Sequence, residues 1–447
     1  MSNRVAKVTS TALLTDQYEL TMLSAALRAG TAQRSCVFEV FARRLPDGRR
    51  YGVVAGTGRL LDALERFRFG PEEIDSLRTV VDQDTLAWLS DYRFRGEIDG
   101  YREGELYFPG SPILTVRGGF AEAVVLETLI LSILNHDSAI ASAAARMVSA
   151  AAGRPIIEMG GRRTHEHAAV ASARAAYLAG VDATSNLEAA RTYRVPSAGT
   201  AAHAFTLSFA HPDGSDERAA FAAQVEALGV GTTLLVDTYD ITTGVKNAIE
   251  VAGTSLGAVR IDSGDLGVLA RQVRRQLDEL GATGTKIVVS GDLDEYAIAS
   301  LRAEPVDIYG VGTSLVTGSG SPTAGMVYKL VEVDGVPVAK RSSHKESHGG
   351  RKRAVRAARA SGTIVEEILL RADAPADQAI PGTGGLDVAE LQIPLVRGGD
   401  RVSGLPTLEQ SRGHLAHGLV TLPWEGLGLS HGDPAVPTRY LTEPESR

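Results

Sequence analysis

Apolar residues recur with three different rhythms along the chain. In LTDQYELTMLSAALRAG (14–30), Leu20, Leu23 and Leu27 have helical spacing and Gly30 supplies the stop. SCVFEVFARRLP (35–46) reads as a strand running into a basic turn, and GTGRLLDALERFRFGPEEIDSL (56–77) returns to helix. Between about 95 and 117, polar and apolar residues alternate among frequent Gly and Pro, which predicts short antiparallel strands. A long helical region follows at about 119–152.

From about 155 the rhythm changes. PIIEMGGRRTHEH, AGVDATSN, VPSAGTAAHAF, TTLLVDTYD, AVRIDSGD, KIVVSGD and VDIYGVGTS follow one another, most pairing a short aliphatic run with a Gly/Ser/Asp-rich end. Helical patterns come after several of them; past RIDSGD, Leu266, Leu269, Val273, Leu277 and Leu280 recur at helical spacing. Apolar strands alternating with helices predict βα units around a buried parallel sheet, and this many repeats favour a β/α barrel. In such a fold the carboxyl ends of the strands carry the chemistry, and His203 is expected at one of them. After about 325 come short strands, a DG hairpin turn and a dense basic run; the Gly/Pro-rich tail from 421 reads as an extended wrap or a disordered end.

Composition narrows the class. The 447 residues exceed one small core, while 44% apolar and 22% charged content describes an ordinary soluble globular protein. A net charge of −8 argues against general nucleic-acid binding. Cys36 is the only cysteine, so no intrachain disulfide or thiolate zinc cluster forms. The first residues lack the apolar core of a signal peptide, and AEAVVLETLILSIL, interrupted by Glu122 and Glu127, is too short to span a bilayer. These features predict a cytoplasmic protein with neither membrane nor nucleic acid as partner.

Candidate chemistry gathers at the predicted strand ends. VRIDSGDLG holds Arg260, Asp262 and Asp265 around one turn, which suits a magnesium-bound, phosphorylated sugar. The plainer reading is a helix cap with a surface ion pair. SGD at 290–292 and GVGTS at 310–314 are small-residue turns whose backbone N–H groups can approach a phosphate. In GGRRTHEH, Arg162 and Arg163 bring positive charge; His165 and His167 open a helix, where positions two apart face different ways. LVDTYD supplies Asp237 and Asp240, and an Asp beside His203 would hold the imidazole in one tautomer.

Taken in order, LTDQYELTM, EMGGRRTHEHAA, GVDATSN, PSAGTAAHAF, LVDTYD, VRIDSGDL, SGDLDE and GVGTSL resemble the nicotinate phosphoribosyltransferases, most closely the actinobacterial type. The likeness runs from about residue 11 to 345. It implies an α/β fold: an irregular β/α barrel with a smaller α+β domain formed by the N- and C-terminal segments. The segments are expected at 1–117 (α+β), 118–152 (connecting helices), 153–325 (barrel) and 326–447 (return to the small domain).

The implied reaction joins nicotinate to phosphoribosyl pyrophosphate in NAD biosynthesis, with magnesium as cofactor and ATP as co-substrate, in a homodimer with shared active sites. The resemblance makes His203 a phosphohistidine whose other nitrogen Asp237 orients. It places Tyr18, from the second subunit, on the pyridine ring with Asp16 beside it. Arg162 and Arg260 would meet the base carboxylate and the phosphorylated ribose, and Asp262 ribose hydroxyls or magnesium. Gly291, Asp292, Gly312 and Thr313 match the 5-phosphate turns, and Arg43 with Lys340 or Lys345 would reach pyrophosphate or ATP.

Met159 stands where relatives often have an aromatic ring. Asn186 stands where nicotinamide-using relatives carry Asp, which favours the acid as substrate. Nicotinamide and quinolinate phosphoribosyltransfer remain alternatives, as more remotely does a barrel metal-dependent hydrolase.

Overall fold

A computed structural model describes residues 9–212, 214–340, 348–375 and 380–441. The chain divides into a continuous unit, Ile140–Pro322, and a discontinuous one made of Met1–Ala139 with Thr323–Arg447.

Six parallel strands form the base of the continuous unit. Across the sheet they run Thr233–Leu235, Ala258–Ile261, Lys286–Gly291, Ile308–Val311, Ile156–Glu158, Ala183–Thr184, a half-barrel in an α/β fold. The strands are short and almost wholly apolar because helices cover them: Val259, Ile261, Ile287, Val289, Tyr309 and Val311 are all buried. Each strand leads into a helix, and the caps are legible in the sequence. Asn186, Asp240, Asp265 and Asp294 accept backbone N–H bonds at successive helix starts. Asp240 and Asp265, two of the sequence candidates for chemistry, are therefore occupied as caps. Helix Leu266–Glu279 buries Ala270, Val273 and Leu277, one face of the predicted periodicity.

The segment around His203 departs from expectation. PSAGTAAHAF forms no strand of the sheet; Ser197 makes an isolated parallel bridge to Thr184, and His203 opens a short helix, His203–Leu207. A run of small residues broken by Pro196 and Gly199 lacks the side-chain bulk that holds a strand in a two-sided core.

The discontinuous unit contains an antiparallel sheet of seven strands, with Ser35–Ala42 central between Met326–Val333 and Leu114–Gly119. Phe38 stacks on Tyr328 at 4.7 Å between ring centroids, and helix Gln17–Ala29 adds Leu20 and Leu23 to the same core. Asp16 caps that helix, and Gly30 ends it at φ 71°. A second sheet has four strands: Asp387–Glu390, Lys352–Ala358, Ile364–Arg371 and Thr438–Leu441. The last of these pairs in parallel with Ile364–Arg371, so the tail expected to wrap loosely contributes a strand. With these elements added, the unit built from both chain ends is the larger of the two.

One helical stretch, Phe120–Ala151, is long and apolar enough to cross a membrane, which the sequence reading of its apolar centre did not anticipate. Two-thirds of its most apolar window (67%) is buried in the protein, as for a core helix contacted on several sides.

A buried ionic network ties the second sheet to the rest of its unit. Arg356 bonds Glu105 and, at 2.9 Å, Glu367, while His414 Nε2 lies 2.7 Å from Glu105 Oε2. Burial favours the neutral acid at Glu105, but Arg356 and His414 outweigh it and hold its pKa at about 2, below the ordinary 4.5. A depressed carboxylate stabilises the fold fully above its unfolded pKa and loses that contribution as pH falls through the folded one. Glu105→Gln should therefore cost about 3 kcal/mol at pH 7. Urea unfolding at a series of pH values should show the gap to wild type closing between pH 4.5 and about 2.

Candidate active site

The carboxyl ends of the parallel strands open into a cavity of about 700 Å³. Arg260, Asp262, Ser290, Gly291 and Asp292 line it from two neighbouring strands, and Gly310, Gly312 and Thr313 from a third. Met159, Arg162 and Arg163 come from the turn after Ile156–Glu158, and Ser185, Asn186 and the 199–202 segment contribute further wall.

Arg260 organises this wall. Its register partner is Val288, so Ser290, two residues farther along, lies on the same face of the sheet. The Arg260 guanidinium donates from Nε to Ser290 Oγ at 2.7 Å, from Nη1 to Thr200 Oγ1 at 2.8 Å and from Nη2 to Asp262 Oδ1 at 2.5 Å. Ser290 Oγ donates to the same Asp262 oxygen. Only 12% of the Arg260 side chain is exposed, yet three bonds leave two of its five N–H donors for a ligand. Burial opposes ionisation of Asp262, but the bonds from Ser290 and Arg260 and the nearby charge of Arg260 and His203 prevail. Its pKa lies below the usual aspartate value, so the carboxylate is ionised at neutral pH.

Asp237 braces this turn from behind. Its Oδ2 accepts from Asp262 N at 2.8 Å and Ser263 Oγ at 3.0 Å. The other oxygen, Oδ1, is buried without a hydrogen-bond partner and lies 3.9 Å from His203 Nε2. Asp262 Oδ2 is 4.0 Å from the same nitrogen. The sequence reading had Asp237 holding the imidazole directly; the hydrogen-bond partner is instead Thr238, whose Oγ1 is 3.1 Å from His203 Nδ1. The 262–263 turn engages only Asp237 Oδ2, and Oδ1 faces the ring without a hydrogen bond to it.

Glu158 holds two parts of the wall together from below. Fully buried, it accepts from Gly160 N and from Thr184 Oγ1, both at 2.5 Å. Burial raises its pKa despite those two bonds. Thr184 Oγ1 in turn accepts from Asn186 N at 2.9 Å. The Asn186 side-chain oxygen is committed to capping Ala189 N at 2.9 Å, which leaves its amide nitrogen on the side of Gly161. That corner of the cavity therefore presents an N–H donor.

Among residues singled out from the sequence, Arg162, Asn186, Arg260, Asp262, Gly291, Asp292, Gly312 and Thr313 line this one cavity. His203 and Asp237 adjoin it through Asp262. Tyr18, Asp16, Arg43 and Lys340 belong to the other unit, and Lys345 lies outside the described residues. Tyr18 is 43% exposed at the start of its helix, and its hydroxyl bonds Glu127. Burial and the Glu127 and Glu19 carboxylates push its pKa well up. Arg43 faces a separate cavity of about 540 Å³, with Glu39, His348, Lys352 and Tyr440. His165 caps its helix and, like His167, is exposed.

Four supporting residues were missed: Thr200, Thr238, Thr184 and Glu158. Each lay inside a quoted motif, but a neutral hydroxyl or lone acid signals nothing until strand register supplies its partner.

Comparison with known proteins bears on the whole chain. A family model for the N-terminal domain of nicotinate phosphoribosyltransferase matches residues 13–135. The Mycobacterium tuberculosis protein named nicotinate phosphoribosyltransferase pncB1 is 66% identical over 432 residues, covering 96% of this chain and 95% of that one. The chain belongs to the nicotinate phosphoribosyltransferase family. A nicotinate phosphoribosyltransferase of Bacillus subtilis is 38% identical over 369 residues, covering 78% of this chain and 73% of its own. The crystal structure of human nicotinic acid phosphoribosyltransferase superposes with a TM-score of 0.81 at 28% identity, covering 96% of this chain and 97% of that one. For a member of this family, the cavity and the motifs that pointed to it come from the same strand tips.

Gly310 is needed at the floor. A Cβ there would meet Met159 Sδ at 2.9 Å and Ser290 Cβ at 3.0 Å. Gly310→Ala should displace the thioether and the serine that holds Arg260, lowering stability by about 1–3 kcal/mol in a chemical-unfolding experiment.

Proposed function

We infer that the protein forms nicotinate mononucleotide and pyrophosphate from nicotinate and phosphoribosyl pyrophosphate, in NAD biosynthesis. It couples this reaction to ATP hydrolysis through phosphorylation of His203. The observation that carries the reading is the Arg260–Asp262 pair, which sets two spare guanidinium donors and an ionised carboxylate side by side in one cavity. Such a pair suits a phosphorylated sugar: the donors take phosphate oxygens, and the carboxylate takes ribose hydroxyls. The small turns at Gly291–Asp292 and Gly312–Thr313 let backbone N–H groups approach the 5-phosphate. Asn186 and Arg162 offer a neutral donor and a cation to the carboxylate of nicotinate. An ionised Asp at 186 would repel that carboxylate.

Departure of pyrophosphate leaves an oxocarbenium-like ribose, and the Asp262 charge lies where it stabilises that cation. The pyridine nitrogen is itself nucleophilic, so the site requires no strong general base. Among the described residues no group of three or more His, Cys, Asp or Glu gathers to hold a metal. Magnesium would be held by Asp262, an ionised carboxylate in the cavity, together with phosphate oxygens of the substrate. When bound it supplies charge neutralisation of the leaving pyrophosphate.

His203 has two unlike nitrogens. Nε2 faces two carboxylates at 3.9 and 4.0 Å, and Nδ1, 3.1 Å from Thr238 Oγ1, is the nitrogen this reading assigns to the phosphoryl group. A homodimer, as the family resemblance implies, belongs to this reading. In it, Tyr18 of one subunit stacks on the pyridine of the other, with Asp16 beside it. Arg43, Lys340 and Lys345 serve pyrophosphate or ATP.

The test is pyrophosphate release from nicotinate and phosphoribosyl pyrophosphate, with and without ATP. Wild type should be stimulated by ATP. His203→Ala should lose that stimulation while keeping slow ATP-independent synthesis; equal loss of both activities would contradict the coupling role.

A further inference from the structure

The discontinuous unit contains a second polar cavity, of about 190 Å³, lined by four arginines: Arg117, Arg351, Arg353 and Arg397. Strand alternation puts two of them there. Lys352 is buried in the opposite direction, with its ammonium 2.8 Å from Glu39 Oε2, so its neighbours Arg351 and Arg353 project to the other face. Arg117 and Arg397 come from strands flanking Glu97–Tyr101, and Asp99 of that strand lies between them.

Asp99 is the shared acceptor. It takes Arg117 Nη2 at 2.8 Å and Arg397 Nη2, and Arg351 Nη2 stands 4.0 Å away. Glu97 takes a second contact from Arg117 at 2.5 Å, and Glu390 bonds Arg353. Glu332 accepts the backbone N–H of Arg351 rather than its guanidinium.

Four of the lining residues are cationic and two, Asp99 and Glu390, are anionic. Four guanidiniums carry five N–H donors each. Arg117 Nε and Arg353 Nε are buried without a hydrogen-bond partner, and the Arg351 guanidinium makes no hydrogen bond to a described residue, only the 4.0 Å ion pair with Asp99. Burial and the like charge of Arg117 pull the Arg351 pKa below its usual value, as expected where cations face one another. Arg397 Nη1 donates to the Ile98 and Val396 carbonyls and Arg353 Nη2 to the Pro375 carbonyl, whereas the Arg351 guanidinium lines the cavity beside Thr115 and Gln392 without a hydrogen bond.

We propose that this cavity binds a small multivalent oxyanion, inorganic phosphate or pyrophosphate. Its oxygens would take the N–H groups of Arg351, and the neighbouring guanidiniums of Arg117, Arg353 and Arg397 would meet its charge. The space suits one or two phosphoryl groups and is too small to enclose a nucleoside. Since Arg353 belongs to the four-stranded sheet and Arg117 and Arg397 to the seven-stranded one, the anion would link the two sheets. A ligand of the folded state alone raises thermal stability by mass action.

Thermal unfolding of the full chain in phosphate, pyrophosphate or AMP, against chloride at matched ionic strength, tests this. Phosphate or pyrophosphate should raise the midpoint of wild type and of Arg260→Gln, which removes the main phosphate donor of the active site. The rise should vanish in Arg351→Gln, which breaks no described guanidinium hydrogen bond and loses only the 4.0 Å ion pair with Asp99. If circular dichroism shows that variant unfolded, Arg351→Lys replaces it, with phosphate affinity about tenfold weaker by calorimetric titration. No rise in wild type, an equal rise in the Arg351 variants, or loss through Arg260→Gln alone would overturn the proposal. A larger Arg351-dependent rise with AMP than with phosphate would overturn the small-anion assignment.

Discussion

The candidate active site depends on a buried cation that is only partly satisfied. Arg260 is held by Ser290, Thr200 and Asp262, each from a different segment, and those bonds fix its guanidinium plane. Charge-assisted bonds of this kind are stronger and more directional than neutral ones, so they orient as well as stabilise. Because Asp262 shares its oxygen with Ser290, the carboxylate cannot swing toward solvent without breaking two bonds. Asp237 then fixes the backbone of that turn, and its own second oxygen faces the imidazole. The chain of constraint runs from sheet register to guanidinium, from guanidinium to carboxylate, and from carboxylate to His203.

Across the cavity, the buried acid Glu158 plays a comparable part for the uncharged wall. Its two bonds couple the Gly160 turn to Thr184, and Thr184 passes the constraint to Asn186. Arg162 and Asn186, which face the same ligand region, are therefore set by one buried side chain that does not line the cavity. Burial on this scale costs free energy, as the raised pKa of Glu158 indicates, and the bonds it accepts give that corner of the cavity geometric definition.

Much of this was readable before any coordinates, for local reasons. An Asp-Ser-Gly-Asp run after the strand segment Ala258–Ile261 is both a strand end and a helix start, and it emerged as both. Arg260, Asp262, Gly291 and Gly312 were legible because each sits within three residues of a strand terminus, where side chains reach one another. What was hidden is what depends on register and tertiary placement. The Thr200 bond to Arg260 spans 60 residues, and the Thr238 contact to His203 spans 35. His203 itself was expected at a strand tip and lies at a helix start, because small residues alone do not hold a strand. The last strand, Thr438–Leu441, was concealed by the Gly/Pro-rich stretch before it, which carries no periodic signal.

The most direct test of this account is steady-state kinetics of Arg260→Gln in protein shown to be folded. If the guanidinium organises the phosphoribosyl site, kcat/KM for phosphoribosyl pyrophosphate should fall by about a hundredfold or more, equivalent to about 3 kcal/mol of transition-state stabilisation. A folded Arg260→Gln protein with wild-type kcat/KM would contradict it.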